Sequence, residues 1–309
     1  MKPNAVIPCL WFDNRAEQAA EFYVDVFENG HVGKLSRYSD TMDNPGGRPR
    51  GSVLIAEFEI MGFHFTALNG GPMFSPNPSI SFFVNVGTRE DASRIFSRLA
   101  EGGNVLMPID SYPWSPRYGW VEDRFCVSWQ VMAGRLPPGG SRIVPCFMFS
   151  GKNHGLAETA MNRYASLFQG GRTESVERYA SDEGPKGLVK HGRFTIAGVE
   201  MVAMDSHISN GVTFTEGVSL QVMCENQGEI DTYWTHLSED GEEGFCGWLK
   251  DRFGVSWQIV PKSMAEWVSS RNAEAKDRTF QAMFQMKKLD VSALKAAFDG
   301  QSEPTDGRT

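Results

Sequence analysis

The sequence predicts an α+β chain built from two tandem copies of one domain, each copy holding two βαβββ modules. Three observations lead there. The segment Gly119-Trp120-Val121-Glu122-Asp123-Arg124-Phe125-Cys126-Val127-Ser128-Trp129-Gln130-Val131 returns as Gly247-Trp248-Leu249-Lys250-Asp251-Arg252-Phe253-Gly254-Val255-Ser256-Trp257-Gln258-Ile259. Earlier, Pro8-Cys9-Leu10-Trp11-Phe12 matches Pro145-Cys146-Phe147-Met148-Phe149, and Arg37-Tyr38 matches Arg178-Tyr179. The 309 residues exceed what one hydrophobic core usually serves, so two domains are the starting expectation. An internal repeat governs every later reading of a chain.

Alternation, helical periodicity and breakers then order the elements of the first copy. A strand over about 6–12 leads through Asp13-Asn14, good helix-starting residues, into an amphipathic helix that ends near Asn29-Gly30. Strands follow near 32–39, 52–60 and 63–69, the last two parted by a tight Met61-Gly62 turn. The second module has a strand at 79–86, a helix from Arg89 to Glu101, and strands near 104–108, 118–122 and 126–132. The second copy repeats the plan, with Ile230–Leu237 in its second helix. The offset between copies is 137 at the first prolines, 138 at Ser81 and Ser219, but 128 at the closing motif. A loop of about ten residues within Asn104–Tyr118 is therefore expected only in the first copy. The domains span 1–136 and 141–262, joined at Pro137-Pro138-Gly139-Gly140, and a helical tail with a disordered end occupies 263–309.

Composition narrows the functional classes. With 41% hydrophobic and 22% charged residues the chain is globular, and its formal net charge of −8 argues against a nucleic-acid partner. Neither a signal-like start nor an apolar run long enough for a bilayer is seen, so a cytoplasmic protein without membrane contact is expected. The five cysteines, Cys9, Cys126, Cys146, Cys224 and Cys246, form no CxxC pair and read as reduced thiols, with Cys9 and Cys146 as matched small buried residues. There is no GxSxG elbow, no P-loop, and no GxGxxG after a strand.

In combination, the Pro-x-Leu-x-Phe opening, the helix with Ala19-Ala20-Glu21-Phe22-Tyr23, the Asp-Arg-Phe-x-Val-Ser-Trp-Gln close and the run Gly244–Lys250 carry a resemblance. The chain resembles, over about residues 5–262, the PhnB-like branch of the vicinal oxygen chelate (glyoxalase/bleomycin-resistance) superfamily. The resemblance implies that paired modules curl a sheet around a central cavity, and that two copies in one chain stand for the two partners of a dimer. It also implies a short helical tail, here Asp277–Lys287 and Asp290–Phe298. The family is often labelled 3-demethylubiquinone-9 3-methyltransferase, although no glycine-rich strand–loop–helix for a methyl donor is found.

Superfamily enzymes usually hold a divalent metal on ligands from the first, fourth, fifth and eighth strands. Those places align with Ile7 or Pro8, Ala67, Ser81 and Gln130, and with Val144 or Pro145, Ala203, Ser219 and Gln258. None is a His or a carboxylate, and a glutamine amide compensates an ion's lost hydration far less than a glutamate does. Among the six histidines no HxH or HxxxH pair occurs, and His191 is the best single candidate for another site. No metal and no cofactor are expected.

Strand alternation assigns the lining of the cavities. Gln130 inward carries Ser128 and Met132 with it and puts Val127, Trp129 and Val131 behind the sheet; likewise Ser256 and Gln258 face in and Trp257 packs behind. Ser81, Phe83 and Asn85, Ser219, Gln221 and Met223, and Phe65 and Ala67 with Met201 and Ala203, complete the lining. The expected ligand-binding set is thus Phe65, Ala67, Ser81, Phe83, Ser128, Gln130, Ser219, Gln221, Ser256 and Gln258. Apolar surface with a few neutral hydrogen-bonding groups is the make-up of a small-molecule pocket. A metal-independent small-molecule-binding protein is the leading reading, with its activity open. The alternatives are a metal-dependent lyase, isomerase or dioxygenase, the labelled methyltransferase, and an interaction scaffold. The aromatic, proline-stiffened segment Ile109–Tyr118 favours the first copy's cavity as the functional one.

Overall fold

The structure, a computed structural model, describes residues 6–27, 29–39, 47–134, 141–206 and 211–301. The first module runs β1 (Val6–Phe12), α1 (Ala16–Phe27), β2 (His31–Arg37), β3 (Val53–Ile60) and β4 (Phe63–Asn69). The second runs β5 (Ile80–Val86), α2 (Arg89–Ala100), β6 (Asn104–Tyr112), β7 (Ser115–Glu122) and β8 (Ser128–Ala133). The third has β9 (Ile143–Phe149), α3 (Ala157–Leu167), β10 (Arg172–Arg178), β11 (Val189–Ile196) and β12 (Val199–Asp205). The fourth has β13 (Val218–Cys224), α4 (Gln227–Ser238), β14 (Glu242–Glu243), β15 (Trp248–Lys250) and β16 (Ser256–Pro261). Three tail helices follow, α5 (Met264–Trp267), α6 (Ala273–Phe284) and α7 (Val291–Asp299). The βαβββ order is the expected one in all four modules.

The modules make two curved eight-stranded sheets, and each sheet draws one module from each copy. The first is ordered β14-β15-β16-β13-β1-β4-β3-β2, the second β10-β11-β12-β9-β5-β8-β7-β6. The seams are antiparallel, β1 on β13 with Ile7 opposite Gln221, and β5 on β9 with Phe83 opposite Val144. The sequence reading put both modules of a copy around one cavity; in the structure each cavity wall belongs to both copies. A repeat fixes module boundaries but carries no information on which edges pair, because every module offers similar edges.

What a copy does share is the helix side of its two modules. Trp129 of β8 packs against Tyr23 and Phe27 of α1, Phe65 of β4 and Phe82 of β5. In the second copy Trp257 meets Tyr164 and Phe168. Both tryptophans are fully buried, as the alternation predicts. At the centre of each core sits an aspartate. Asp123 Oδ2 accepts from the Tyr23 hydroxyl and from Trp129 Nε1, each at 2.8 Å, while its Oδ1 accepts from the amides of Phe125 and Val127. Asp251 repeats all four bonds with Tyr164, Trp257, Phe253 and Val255. The Asp-Arg-Phe-x-Val-Ser-Trp-Gln motif is thus the tie between two modules of a copy, since four donors saturate the acceptor capacity of one carboxylate. Burial pushes Asp123 up to about 6, against those hydrogen bonds, which favour the ionised form.

Local signals work in part. The Met61-Gly62 turn and its counterpart Ala197-Gly198 both have positive φ at two successive residues, the backbone a two-residue hairpin demands. The start of α1 is capped from afar, however: the Ala16 amide donates to Asn69 Oδ1 at the end of β4, and Ala157 donates to Asp205 in the second copy. Asp13 and Asn14 do not serve, because the cap comes from a strand end more than fifty residues along the chain. The Asn104–Tyr118 segment is not a loop: its extra residues lengthen the β6–β7 hairpin, whose counterpart β14–β15 has strands of only two and three residues. A proline on an exposed edge strand does not break it, because the missing amide faces away from the ladder. The tail adds α5, unforeseen, and packs Met264, Trp267, Val268, Phe280, Leu289 and Leu294 against Leu54 and Val260 of the first sheet alone. The linker at 137–140 and the tail end at 302–309 lie outside the described residues.

Candidate functional site

The face of each sheet opposite its helices is concave, and the strand registers define what stands there. On the first sheet, Gln258 of β16 lies beside Gln221 of β13, which faces Ile7 of β1. Cys9 lies beside Thr66 and opposite Ser219, and Ser219 in turn lies beside Ser256. Gln258 Nε2 donates to Ser219 Oγ at 2.9 Å and its Oε1 accepts from Gln221 Nε2 at 3.0 Å. A cavity of about 450 Å³ opens beside these groups, walled by Ile7, Ile55, Met223 and Val260 and by Ser36, Thr66 and Gln221, with Met264, Ala265 and Val268 of the α5 region across it. Lys34 Nζ donates to the Ala265 carbonyl at 2.7 Å and holds that cover to β2. Beyond β1, Trp11 sits edge-on to Phe74 and Trp248. Gly70 makes room for it, since a Cβ there would stand 2.2 Å from the indole.

Three titratable side chains border this cavity, Glu57, His64 and Lys262. His64 Nε2 lies 3.3 Å from Glu59, and Lys262 pairs with Glu225. Glu57, opposite Thr66, has no hydrogen bond or close ion pair among the described residues. Burial pushes its carboxyl above the ordinary range, while the charges of Lys34 and His64 pull the other way. Cys9 lies behind, its thiol pushed up to about 12 by burial and hence inert near neutrality.

The second sheet repeats the frame with different contents. Gln130 Nε2 donates to Ser81 Oγ at 2.8 Å, as Gln258 does to Ser219, but its Oε1 accepts from the Tyr118 hydroxyl at 2.7 Å. Phe83 stands where the first sheet has Gln221. Phe83, Tyr118, Val144, Cys146 and Val202 form a buried cluster, with Met107, Tyr112, Trp120, Met132 and Met204 packed on it. Tyr112 and Trp114 stack at the tip of the long hairpin, both edge-on to Tyr118. His191 meets the edge of Phe83 at 6.0 Å, and burial lowers its pKa. Trp120 Nε1 donates to Ser128 Oγ at 2.7 Å, whereas the buried Ser256 hydroxyl has no partner among the described residues, since Trp248 turns to Trp11 instead.

The expected lining residues separate accordingly. Ser219, Gln221, Ser256 and Gln258 share the first concave face, and Ser81, Phe83, Ser128 and Gln130 the second. Phe65 borders the first sheet's cavity, but its ring stacks on Phe58 and meets Phe82 and Trp129 on the helix side, and Ala67, Met201 and Ala203 sit in that core. The fourth strand is in the opposite phase, because the Met61-Gly62 turn sets its register against β3 and places His64 and Thr66 inward. The hairpin that favoured one cavity packs onto it, and among the described residues an open cavity lies on the first sheet. Sequence reasoning missed Glu57, His64 and Lys262, although Glu57 and Glu59 on an otherwise apolar strand were a visible signal.

With β4 rephased, the fold's metal-ligand places on the first sheet offer Ile7, His64 or Thr66, Gln221 or Ser219, and Gln258. That is one imidazole, already beside Glu59, and two amides bonded to each other. Among the described residues no group of three or more His, Cys, Asp or Glu side chains is placed to hold a metal ion. Such a donor set does not fit a divalent cation, whose dehydration needs charged oxygens or several imidazoles. A larger groove of about 590 Å³ between α1 and α2, bordered by Arg15, Asp25, Arg98 and Arg124, is an open channel of mixed charge on the convex side.

The model of the 3-demethylubiquinone-9 3-methyltransferase family matches the chain twice, over residues 4–132 and 141–260. The chain belongs to this family. Both family copies therefore coincide with the two repeats. Among solved structures, the glyoxalase I of Zea mays is similar over 86% of this chain and 95% of its own, at 11% identity and a TM-score of 0.52. That likeness is one of fold, the vicinal oxygen chelate fold in two tandem copies. A PhnB protein from Bacillus cereus is 33% identical over 41% of this chain and 98% of its own, with a TM-score of 0.38. A protein from Pseudomonas aeruginosa is 26% identical over 40% and 93%, with a TM-score of 0.34. A search of curated proteins finds no match. No helix among the described residues is long and apolar enough to cross a membrane.

Proposed function

We propose that the chain binds a small, largely apolar molecule on the concave face of the first sheet, without a resident metal ion, and that the second sheet is its filled counterpart. The observation that carries this reading is the cavity of about 450 Å³, of the size and mixed lining usual for small-molecule sites. Gln221, held by Gln258, and Thr66 and Ser36 supply polar contacts on an apolar wall. The two copies act as an intramolecular pseudo-dimer, since the wall needs β1–β4 of one and β13–β16 of the other. Five free thiols, buried or half-buried, suit a cytoplasmic setting. The reading is one of binding; no reaction is assigned.

The test is a thermal-shift series on protein purified without an affinity tag, with metal analysis alongside. Ligands of native protein should raise its melting temperature, and Met223→Trp, which fills the cavity, should abolish the rise. Metal content should stay far below one equivalent. Equal shifts in parent and filled variant, or a stoichiometric transition metal, would overturn the reading.

A further inference from the structure

The two concave faces carry opposite charges at matched positions. In the second sheet Arg193 of β11 stands opposite Val202; in the first, Glu57 of β3 stands opposite Thr66, the same place in the hairpin. Arg193 is neutralised within its own hairpin by an ion pair with Glu200. Glu57 is not, because the residue where Glu200 would stand is His64, which pairs with Glu59. Of the other cations nearby, Lys262 pairs with Glu225, and Lys34, whose charge reaches Glu57, directs its hydrogen bond to the Ala265 carbonyl instead. A half-buried carboxylate on the wall of a cavity, short of donors, is costly unless something entering that cavity supplies one.

On the reading that this cavity is a ligand site, we infer that its ligand is a small amine, whose ammonium pairs with Glu57 while its apolar body lies against Ile7, Met223 and Val260. An ammonium offers up to three donors to a carboxylate and forms a charge-assisted bond roughly twice as strong as a neutral one. Burial raises the Glu57 carboxyl despite the charges of Lys34 and His64, so an ammonium placed beside it would stabilise its ionised form. The formal net charge of −8 acts in the same direction, raising the concentration of small cations at the surface.

The experiment compares three probes of similar shape, 2-phenylethylamine, 2-phenylethanol and 3-phenylpropionate, by calorimetric titration and thermal shift of the full chain. The parent should bind the amine about tenfold or more tightly over the alcohol, and the carboxylate least, as a charge-assisted contact requires. In Glu57→Gln, which keeps shape and removes charge, the preference should shrink to about twofold or less, with the alcohol little changed. Glu57→Asp should retain an amine preference, which separates loss of charge from loss of fold. Alcohol and amine bound equally by the parent, or an undiminished preference in Glu57→Gln, would refute the role of Glu57 and leave the cavity reading standing. Binding of none of the three would refute both.

Discussion

Gln130 and Gln258 occupy one motif position, yet removing their side chains should have unequal consequences. Gln130→Ala takes the acceptor from the Tyr118 hydroxyl and the donor from Ser81, both buried in a packed cluster. Each buried polar group left unsatisfied costs about 1–3 kcal/mol, so the total should be ~2–4 kcal/mol after some reorientation of hydroxyls. Gln258→Ala removes equivalent bonds to Gln221 and Ser219. Gln221 borders the open cavity and can turn to water, so only Ser219 is stranded, at ~1–2 kcal/mol. Urea denaturation at fixed pH, with m-values compared to check that unfolding stays two-state, should therefore rank Gln130→Ala as the less stable variant by ~1–2 kcal/mol. Gln258→Ala should instead be the one that changes ligand affinity, and neither should alter metal content. Equal stabilities, or a larger loss at Gln258, would show that the two faces are not filled and open as described.

Two further outcomes follow from the cores. Trp257→Ala should destabilise by about 3–5 kcal/mol, as aromatic truncations in cores do, measured by the same denaturation; an unchanged melting temperature would place the indole outside the core. For Asp123, the folded carboxyl titrates at about 6, above its ordinary value of about 4. A carboxyl that holds its proton more tightly when folded contributes stability present below pH ~4 and lost as pH rises through ~6, by up to ~3 kcal/mol. The urea midpoint of the parent relative to Asp123→Asn should thus fall between pH 4 and 6; a relative rise over that window would mean that the four hydrogen bonds outweigh burial.

The sequence by itself determined what depends on local and repeated signals. The pair of Asp-Arg-Phe-x-Val-Ser-Trp-Gln motifs gave the duplication, the βαβββ order and the burial of Trp129 and Trp257, because strand alternation is strict once one residue's face is known. It placed Ser81, Gln130, Ser219, Gln221 and Gln258 on the concave sides for the same reason. Only the tertiary structure decided which modules share a sheet, since similar edges give a sequence no way to prefer β13 over β5 as the neighbour of β1. It also decided the phase of β4: Phe63-His64-Phe65-Thr66-Ala67 alternates, but only packing on the helix side makes the Phe65 and Ala67 face the core one and turns His64 and Thr66 inward. Which face stays open was beyond the sequence as well. That depends on how far the β6–β7 hairpin reaches over Tyr118 and Phe83, and on α5 covering the first sheet without filling it. Packing of segments far apart in the chain settles such questions, and no local pattern encodes it.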